Sequence, residues 1–322
     1  MKRIALNFAA YMLALVLLLF IFTCMLDREQ FEVLRRLTPF DIAVTFFLSL
    51  FAYIGNGLEY YLMRDKMGFR MEKKDILLLP LAMNLAGTLL PFQGAMAYQI
   101  FYLKKKYGVS IPRGCSIAAF LYLLTTTLSG IAGLVLVLSG KVSSWFFLLL
   151  SLLFAASSPL AMAALVLMRR IRLSGKLKLF ADFVRSTLEG IELLLRDVRT
   201  VALLVAVYLL RLLSMILMFA WIARCLGMDV YFTALLLLNL WNMLSLILKF
   251  TPNNLGISQL VSGVMFLMIG LPKEQGILIS LTATLTFVLV ALTLGAAAMG
   301  WHFWQITFGA RRDLPEKDAG RP

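Results

Sequence analysis

The chain predicts an all-α, polytopic membrane protein, and three observations carry that reading. Hydrophobic residues make up 61% of the 322 residues and charged residues only 15%, with a mean hydropathy of +0.88. No soluble domain keeps such a composition in water. Apolar runs of about 20 residues or more, enough to cross ~30 Å of hydrocarbon at 1.5 Å per residue, follow one another along the sequence. The segments between them are short and basic, so residues 1–322 read as a single membrane domain.

The first helix is expected at 4–26. It has a basic lead, but its apolar run is too long for a signal core and no small-x-small cleavage site follows, so it reads as a retained helix. Further apolar segments fall at 39–63, 76–103, 114–138, 144–168, 200–226, 230–270 and 276–304. Two of these are interrupted, at "LLPFQGAMAYQ" around Pro91 and at "KFTPNNLGISQLVSG" around Pro252. Proline lacks the amide donor and crowds the preceding turn, so each break frees carbonyls that hydrocarbon cannot satisfy. Irregular backbone at that depth must lie within protein or face water. The expectation is about six full transmembrane helices plus two broken or re-entrant hairpins.

The net charge of +14 comes from Lys and Arg in short loops, so anionic lipid headgroups, and not nucleic acid, are the expected counter-charge. Placing both termini and the loops at 64–75, 104–113 and 169–199 in the cytoplasm puts most of the 31 Lys and Arg residues inside. That bias predicts a multi-pass protein of the cell inner (plasma) membrane. The order helix, broken hairpin, helix occurs twice, over 39–138 and 200–304, with Pro91 and Gly108 matched by Pro252 and Gly270 at nearly the same offset. Copies that begin on opposite faces form an inverted repeat, which places a transporter's site between the repeats near the midplane. Between them, 176–199 reads as a cytoplasmic amphipathic helix with Phe183, Leu188 and Ile191 on one face. It either lies flat on the membrane or covers the ends of neighbouring helices.

Candidate site residues cluster at the two breaks. Pro252 ends one half-helix and Gly256 lets the next begin, so free amides point into the membrane with partial positive charge and suit a phosphate. Asn253 and Asn254 cap that end or meet a headgroup, and Ser258, Gln259 and Ser262 share one face. Gly256, Gly263 and Gly270 recur every seven residues, which reads as a packing stripe. In the first break Asn84, Thr88, Gln93, Tyr98 and Gln99 supply neutral polar groups, followed by the anchoring run Lys104, Lys105 and Lys106. Arg211 lies in mid-helix, where a charge costs ~2.5 to 3.5 kcal/mol and must find a partner. It either attracts an anionic group or pairs with Glu59, the only acidic residue well inside an apolar run. Lys249 stands at the edge of the second break, in the site or snorkelling to the interface.

Signals for chemistry are thin. The sole histidine, His302, sits beside Trp301 and Trp304 and reads as part of an interfacial belt. Cys24, Cys115 and Cys225 have no metal-like spacing and read as small packing residues. There is no HExxH, GxSxG or phosphate loop, so no enzyme activity, cofactor or metal is expected.

At "LLPFQGAMAYQIFYLKKKYGVS" and "TPNNLGISQLVSGVMFLMIGLPKEQG" the chain resembles the flippase-like membrane family that includes the transmembrane region of lysylphosphatidylglycerol synthase. Pro91, Lys104 to Lys106, Gly108 and Ser110 match the first family block, and Pro252, Asn254, Leu255, Gly256 and Gly270 the second. Charged family positions fall here on Met96, Gln99, Tyr122, Gln259 and Thr284, all neutral, which marks a divergent branch. No aminoacyl-transfer domain is seen after residue 304, so lysyl transfer is not implied. The resemblance implies movement between leaflets of a phosphate-bearing or polyprenyl-phosphate-type lipid. An intramembrane lipid-modifying enzyme, or a non-catalytic protein partner of an envelope glycosyltransferase, are the alternatives.

Overall fold

The structure, a computed structural model, describes residues 32–90, 93–140, 142, 144–170, 176–247 and 251–308, together with 12, 15 and 16. Most of the helix expected at 4–26, and Pro91 and Lys249, lie outside the described residues. Among the described residues every element is helical.

Pro39–Met67 (α1) starts at Thr38, whose hydroxyl accepts from the Asp41 amide at 3.2 Å while Asp41 accepts from the Thr38 amide at 2.9 Å. This reciprocal capping box, with proline at the first helical position, fixes the helix start. The first hairpin follows as Asp75–Leu89 (α2) and Gly94–Tyr107 (α3), then the long Ile111–Leu138 (α4). Trp145–Ala155 (α5) and Ser157–Arg170 (α6) lead to Lys176–Leu195 (α7). The second half repeats the order: Val198–Cys225 (α8), a hairpin of Phe232–Ile247 (α9) and Ile257–Met268 (α10), and a closing span. That span runs from Lys273–Val290 (α11) through a π turn at Ala291–Gly295 into Ala296–Phe308 (α12).

Among the described residues four helices are long and apolar enough to cross a membrane: α1, α4, α8 and the span Lys273–Thr307. The segment expected as one helix at 144–168 is instead the α5/α6 pair, bent by 44° and a fifth span if it crosses. Pro159, in the first turn of α6, has no amide to return to the carbonyl of Ala155 and crowds it, which accounts for the bend. Gly130 on α4 lies under that bend, where a side chain would overlap the backbone of Phe154 and Ala155.

The hairpin arms are shorter than the spans. At 1.5 Å per residue α2 and α3 reach ~22 and ~21 Å and α10 ~18 Å, less than the ~30 Å of hydrocarbon. The first hairpin is seated by an exchange between a proline and a glycine. Pro80 sits inside α2 and cannot donate to Ile76, and the freed Ile76 carbonyl meets α1 at Gly57, where any side chain would overlap it. α8 packs along α1, and the turn Pro252–Asn254 of the second hairpin rests on α2 of the first. The two breaks therefore meet. Ile191 and Leu194 of α7 are buried, and Ser116 of α4 donates to the Thr187 carbonyl at 2.8 Å, so α7 lays its apolar face on α4.

Candidate functional site

A cavity of about 300 Å³ lies where the two breaks meet. The first hairpin contributes Asn84, Gln93 and Gln99, the second contributes Thr251 and Asn253, and the walls add Asn56 and Glu59 of α1, Thr125 of α4 and Arg211 of α8. Leu90, at the end of α2, also lines the cavity and is 47% exposed.

Arg211 reaches the wall because Gly55 of α1 leaves room for its stem, with the Arg211 Cβ 3.3 Å from where a side chain would begin. Its Nη1 donates to Asn56 Oδ1 and lies 3.2 Å from both carboxylate oxygens of Glu59, and Nη2 lies 3.4 Å from Thr125 Oγ1. The guanidinium also faces the Tyr208 ring at 5.4 Å. Of the two alternatives for Arg211 the ion pair with Glu59 is present, and the guanidinium also lines the cavity. The pair is enclosed, with 13% and 4% of the two side chains exposed. Nη1 and Nη2 make all the guanidinium's hydrogen bonds among the described residues.

Asn84 donates to the Phe287 carbonyl at 2.8 Å, and Gln93, in left-handed backbone at φ 68°, accepts from Tyr122 at 2.9 Å. Gln99 accepts from Tyr60 at 3.3 Å, but its buried Nε2 has no partner among the described residues. In the second break Asn253 and Asn254 are both left-handed, at φ 48° and 56°, a region that asparagine tolerates better than most residues. The buried Nδ2 of Asn253 likewise has no partner there. One unpaired amide donor thus comes from each break.

Three expected residues turn away. Ser258, Gln259 and Ser262 are buried within the second hairpin's own packing. Gln259 Oε1 accepts from the Gly256 amide at 2.8 Å and from Ser258 at 3.2 Å, and its Nε2 donates to Thr284 at 3.0 Å. The start of α10, expected to offer free amides, is therefore partly capped by its own glutamine. Asn254 is buried beside it and does not line the cavity, its carbonyl accepting from Ser258 at 3.1 Å. The glycine stripe also resolves differently. Gly263 packs closely against Ile277, whereas Gly256 and Gly270 serve positive φ angles of 85° and 78°, and Gly270 has open space around it.

The largest departure lies at the base of the first hairpin. His302, expected at the interface, is fully buried, with Nδ1 2.9 Å from the Tyr98 hydroxyl and Nε2 3.5 Å from Asp75 Oδ1. Asp75 is fully buried too, so Glu59 is not alone as an acid inside the bundle. Its Oδ2 accepts from Tyr102 at 2.8 Å, from Lys106 at 2.7 Å and from Tyr107. Lys106, read as an exposed anchor with Lys104 and Lys105, has only 12% of its side chain exposed. In sequence the signal was Tyr98, Tyr102 and Lys106 at helical spacing, opposite an acid that looked like a loop residue. In the loop before α2, burial pushes the Glu72 carboxyl up, but hydrogen bonds from Lys74 and Lys106 outweigh it and hold it below the usual carboxylate range.

Among the described residues no group of three or more His, Cys, Asp or Glu side chains could hold a metal. What the described residues offer in the cavity is one cation, one carboxylate and several amides and hydroxyls, a set suited to polar groups. Comparison with curated proteins and with solved structures gives no match. The family model described as the lysylphosphatidylglycerol synthase TM region matches residues 7–302, nearly the whole chain, and the protein is a membrane protein belonging to that family.

Proposed function

We propose that the chain moves a lipid with a phosphate-bearing headgroup, a phospholipid or a polyprenyl-phosphate-type lipid, from one leaflet to the other. The observation that carries this reading is the cavity shared by both breaks, in which the buried donors Gln99 Nε2 and Asn253 Nδ2 have no partner among the described residues and line the same space as Arg211. A buried donor left unpaired costs ~1 to 3 kcal/mol, and an oxygen-rich headgroup supplies the missing acceptors. The guanidinium fork of arginine suits phosphate. A cavity of about 300 Å³ sits at the lower end of small-ligand sites, room for a headgroup while the tails stay in hydrocarbon. Without such substitutes for water, carrying a charged headgroup through the bilayer core is prohibitive.

In this reading the chain lies in the cell inner membrane with both termini cytoplasmic, as the basic loops favour. The hairpins enter from opposite faces as parts of an inverted repeat, and rocking one repeat against the other alternates access. The twice-used order of long helix, broken hairpin and long helix supports that arrangement, as do arms too short to cross. Family membership supports a lipid-related role.

The test is transbilayer movement of labelled phospholipid in vesicles holding purified protein. Wild type should exceed empty vesicles, and Arg211→Ala should lose at least about 10-fold, the loss of ~1.4 kcal/mol of headgroup stabilisation. Equal rates in all three remove the proposal. Chemical conversion of the lipid in detergent would point to an intramembrane enzyme. Stable co-purification with a glycosyltransferase, without lipid movement, would point to a non-catalytic partner.

A further inference from the structure

The base of the first hairpin holds titratable groups that the cavity does not use. His302 of α12 is enclosed: Tyr102 stacks on its ring at 3.9 Å between centroids, and Tyr98 places its hydroxyl 2.9 Å from Nδ1. Among the described residues the only acid against the imidazole is Asp75 of α2. The two oxygens of that carboxylate are unequally occupied. Oδ2 takes Tyr102, Lys106 and Tyr107 of α3, whereas among the described residues Oδ1 has nothing but His302 Nε2, 3.5 Å away and beyond a good hydrogen bond. Lys106 has other acceptors within reach, Gln305 at 2.9 Å and Glu72 at 3.2 Å. The remaining charge nearby, Lys74, pairs with Glu72 at 2.6 Å and lies over Trp301 at 5.6 Å.

We propose that Asp75, His302 and Lys106 form a proton-binding site, whose occupancy decides whether α2 is tied chiefly to α3 through Lys106 or to α12 through His302. With the imidazole neutral, a proton on Nε2 faces Asp75 and the Tyr98 hydroxyl donates to Nδ1. A second proton arrives on Nδ1, Tyr98 turns from donor to acceptor, and the cationic ring now competes with Lys106 for one carboxylate. Opposite charges attract most strongly where water is scarce, so the Nε2 to Oδ1 gap closes. Lys106 shifts toward Glu72 and Gln305. The consequence reaches the cavity because Tyr98 and Gln99 are neighbours on α3, one facing the histidine and the other lining the cavity. A proton bound at the base thereby biases the hairpin that presents Gln99. This goes beyond the lipid reading and stands without it.

His302 is the chain's only histidine, so one imidazole signal reports the site. Full-length protein with labelled histidine in nanodiscs is titrated by NMR between about pH 5 and 8, the window in which histidine ordinarily changes charge. The expected result is a titrating imidazole whose midpoint falls by about one pH unit or more in Asp75→Asn and rises in Lys106→Met. Circular dichroism confirms that each variant is folded, and Tyr98→Phe, which keeps the ring, provides a second folded reference. Spin labels at the exposed Lys105 and Thr307 should change separation across the same window in wild type and not in His302→Gln. An imidazole that never titrates, a midpoint unmoved by Asp75→Asn, or a titrating imidazole with constant label separation each overturn the proposal. No readout requires lipid to move, so failure here and failure of the lipid reading are distinguishable.

Discussion

The first hairpin sends Asn84, Gln93 and Gln99 from its two arms and its break into the cavity, while among the described residues the second offers its tip, Thr251 and Asn253, and turns Ser258, Gln259 and Ser262 inward. Both begin from the same device, a proline with polar neighbours inside an apolar run. The difference lies in where the freed groups find partners. Behind the second tip, Gln259 satisfies the Gly256 amide and Thr284 satisfies Gln259, so the arm closes on itself. In the first hairpin the Gln99 Nε2 donor has no partner among the described residues. A polar cluster at a break therefore marks either a structure that completes itself or one that waits for a ligand, and hydrogen-bond accounting separates them.

The strongest way to break this comparison is to unseat each hairpin. Gly57→Ala drives a methyl group into the Ile76 carbonyl, with only backbone to yield, and should cost more than about 4 kcal/mol, leaving little folded protein in detergent. Gly276→Ala meets the Ser262 carbonyl at 2.5 Å and the movable Phe266 ring at 2.8 Å, and should cost ~1 to 3 kcal/mol. Thermal unfolding of both variants checks the order; a milder effect at Gly57 would contradict the seating described for the first hairpin. Next in size is the wall the hairpins share. Glu59→Ala leaves Arg211 unpaired and should cost ~3 to 5 kcal/mol, with part of that recovered when Arg211→Ala is added. Strict additivity in that cycle would mean the two residues do not support each other.

Much of the fold was legible because it rests on length and periodicity. The long spans α1, α4, α8 and α11 to α12, and both breaks, follow from apolar runs and prolines. The bend between α5 and α6 was missed because Pro159 lies inside a run that is apolar on either side, so hydropathy alone does not register it. The cavity-lining role of Asn84, Gln93, Gln99, Asn253, Glu59 and Arg211 was within reach, since each is a polar residue that hydrocarbon disfavours. What sequence could not order was direction. Gln99 and Gln259 look alike in sequence, yet one is open to the cavity and the other is consumed by Gly256 and Thr284. His302 and Asp75 lie more than two hundred residues apart, and neither signals the other without the fold.

That contrast gives the sharpest pair of variants. Gln259→Ala should cost ~1 to 3 kcal/mol in stability, because it leaves the buried Gly256 amide without its acceptor, while leaving lipid movement by the folded fraction near wild type. Gln99→Ala should show the reverse balance, a smaller stability loss from the one long hydrogen bond it gives up with Tyr60, and slowed movement. Matching profiles would dissolve the distinction between the hairpins. The smallest effect lies outside both. Lys66 and Thr200 hold the Asp197 carboxyl at about 2, below the usual carboxylate range. A depressed value means that this tie between the end of α1 and the start of α8 is fully present above about pH 4 and lost as pH falls through 2. Asp197→Asn should flatten a small acid limb of the stability profile and leave both hairpins intact.

The most direct measurement is site-specific photocrosslinking in native membranes, with a photoreactive residue placed at Gln99, at Asn253 or at Ser262, followed by mass spectrometry of the adducts. The account predicts lipid attached through its headgroup at 99 and 253 and none at 262. Adducts absent from both cavity positions, or equally abundant at 262, would contradict it.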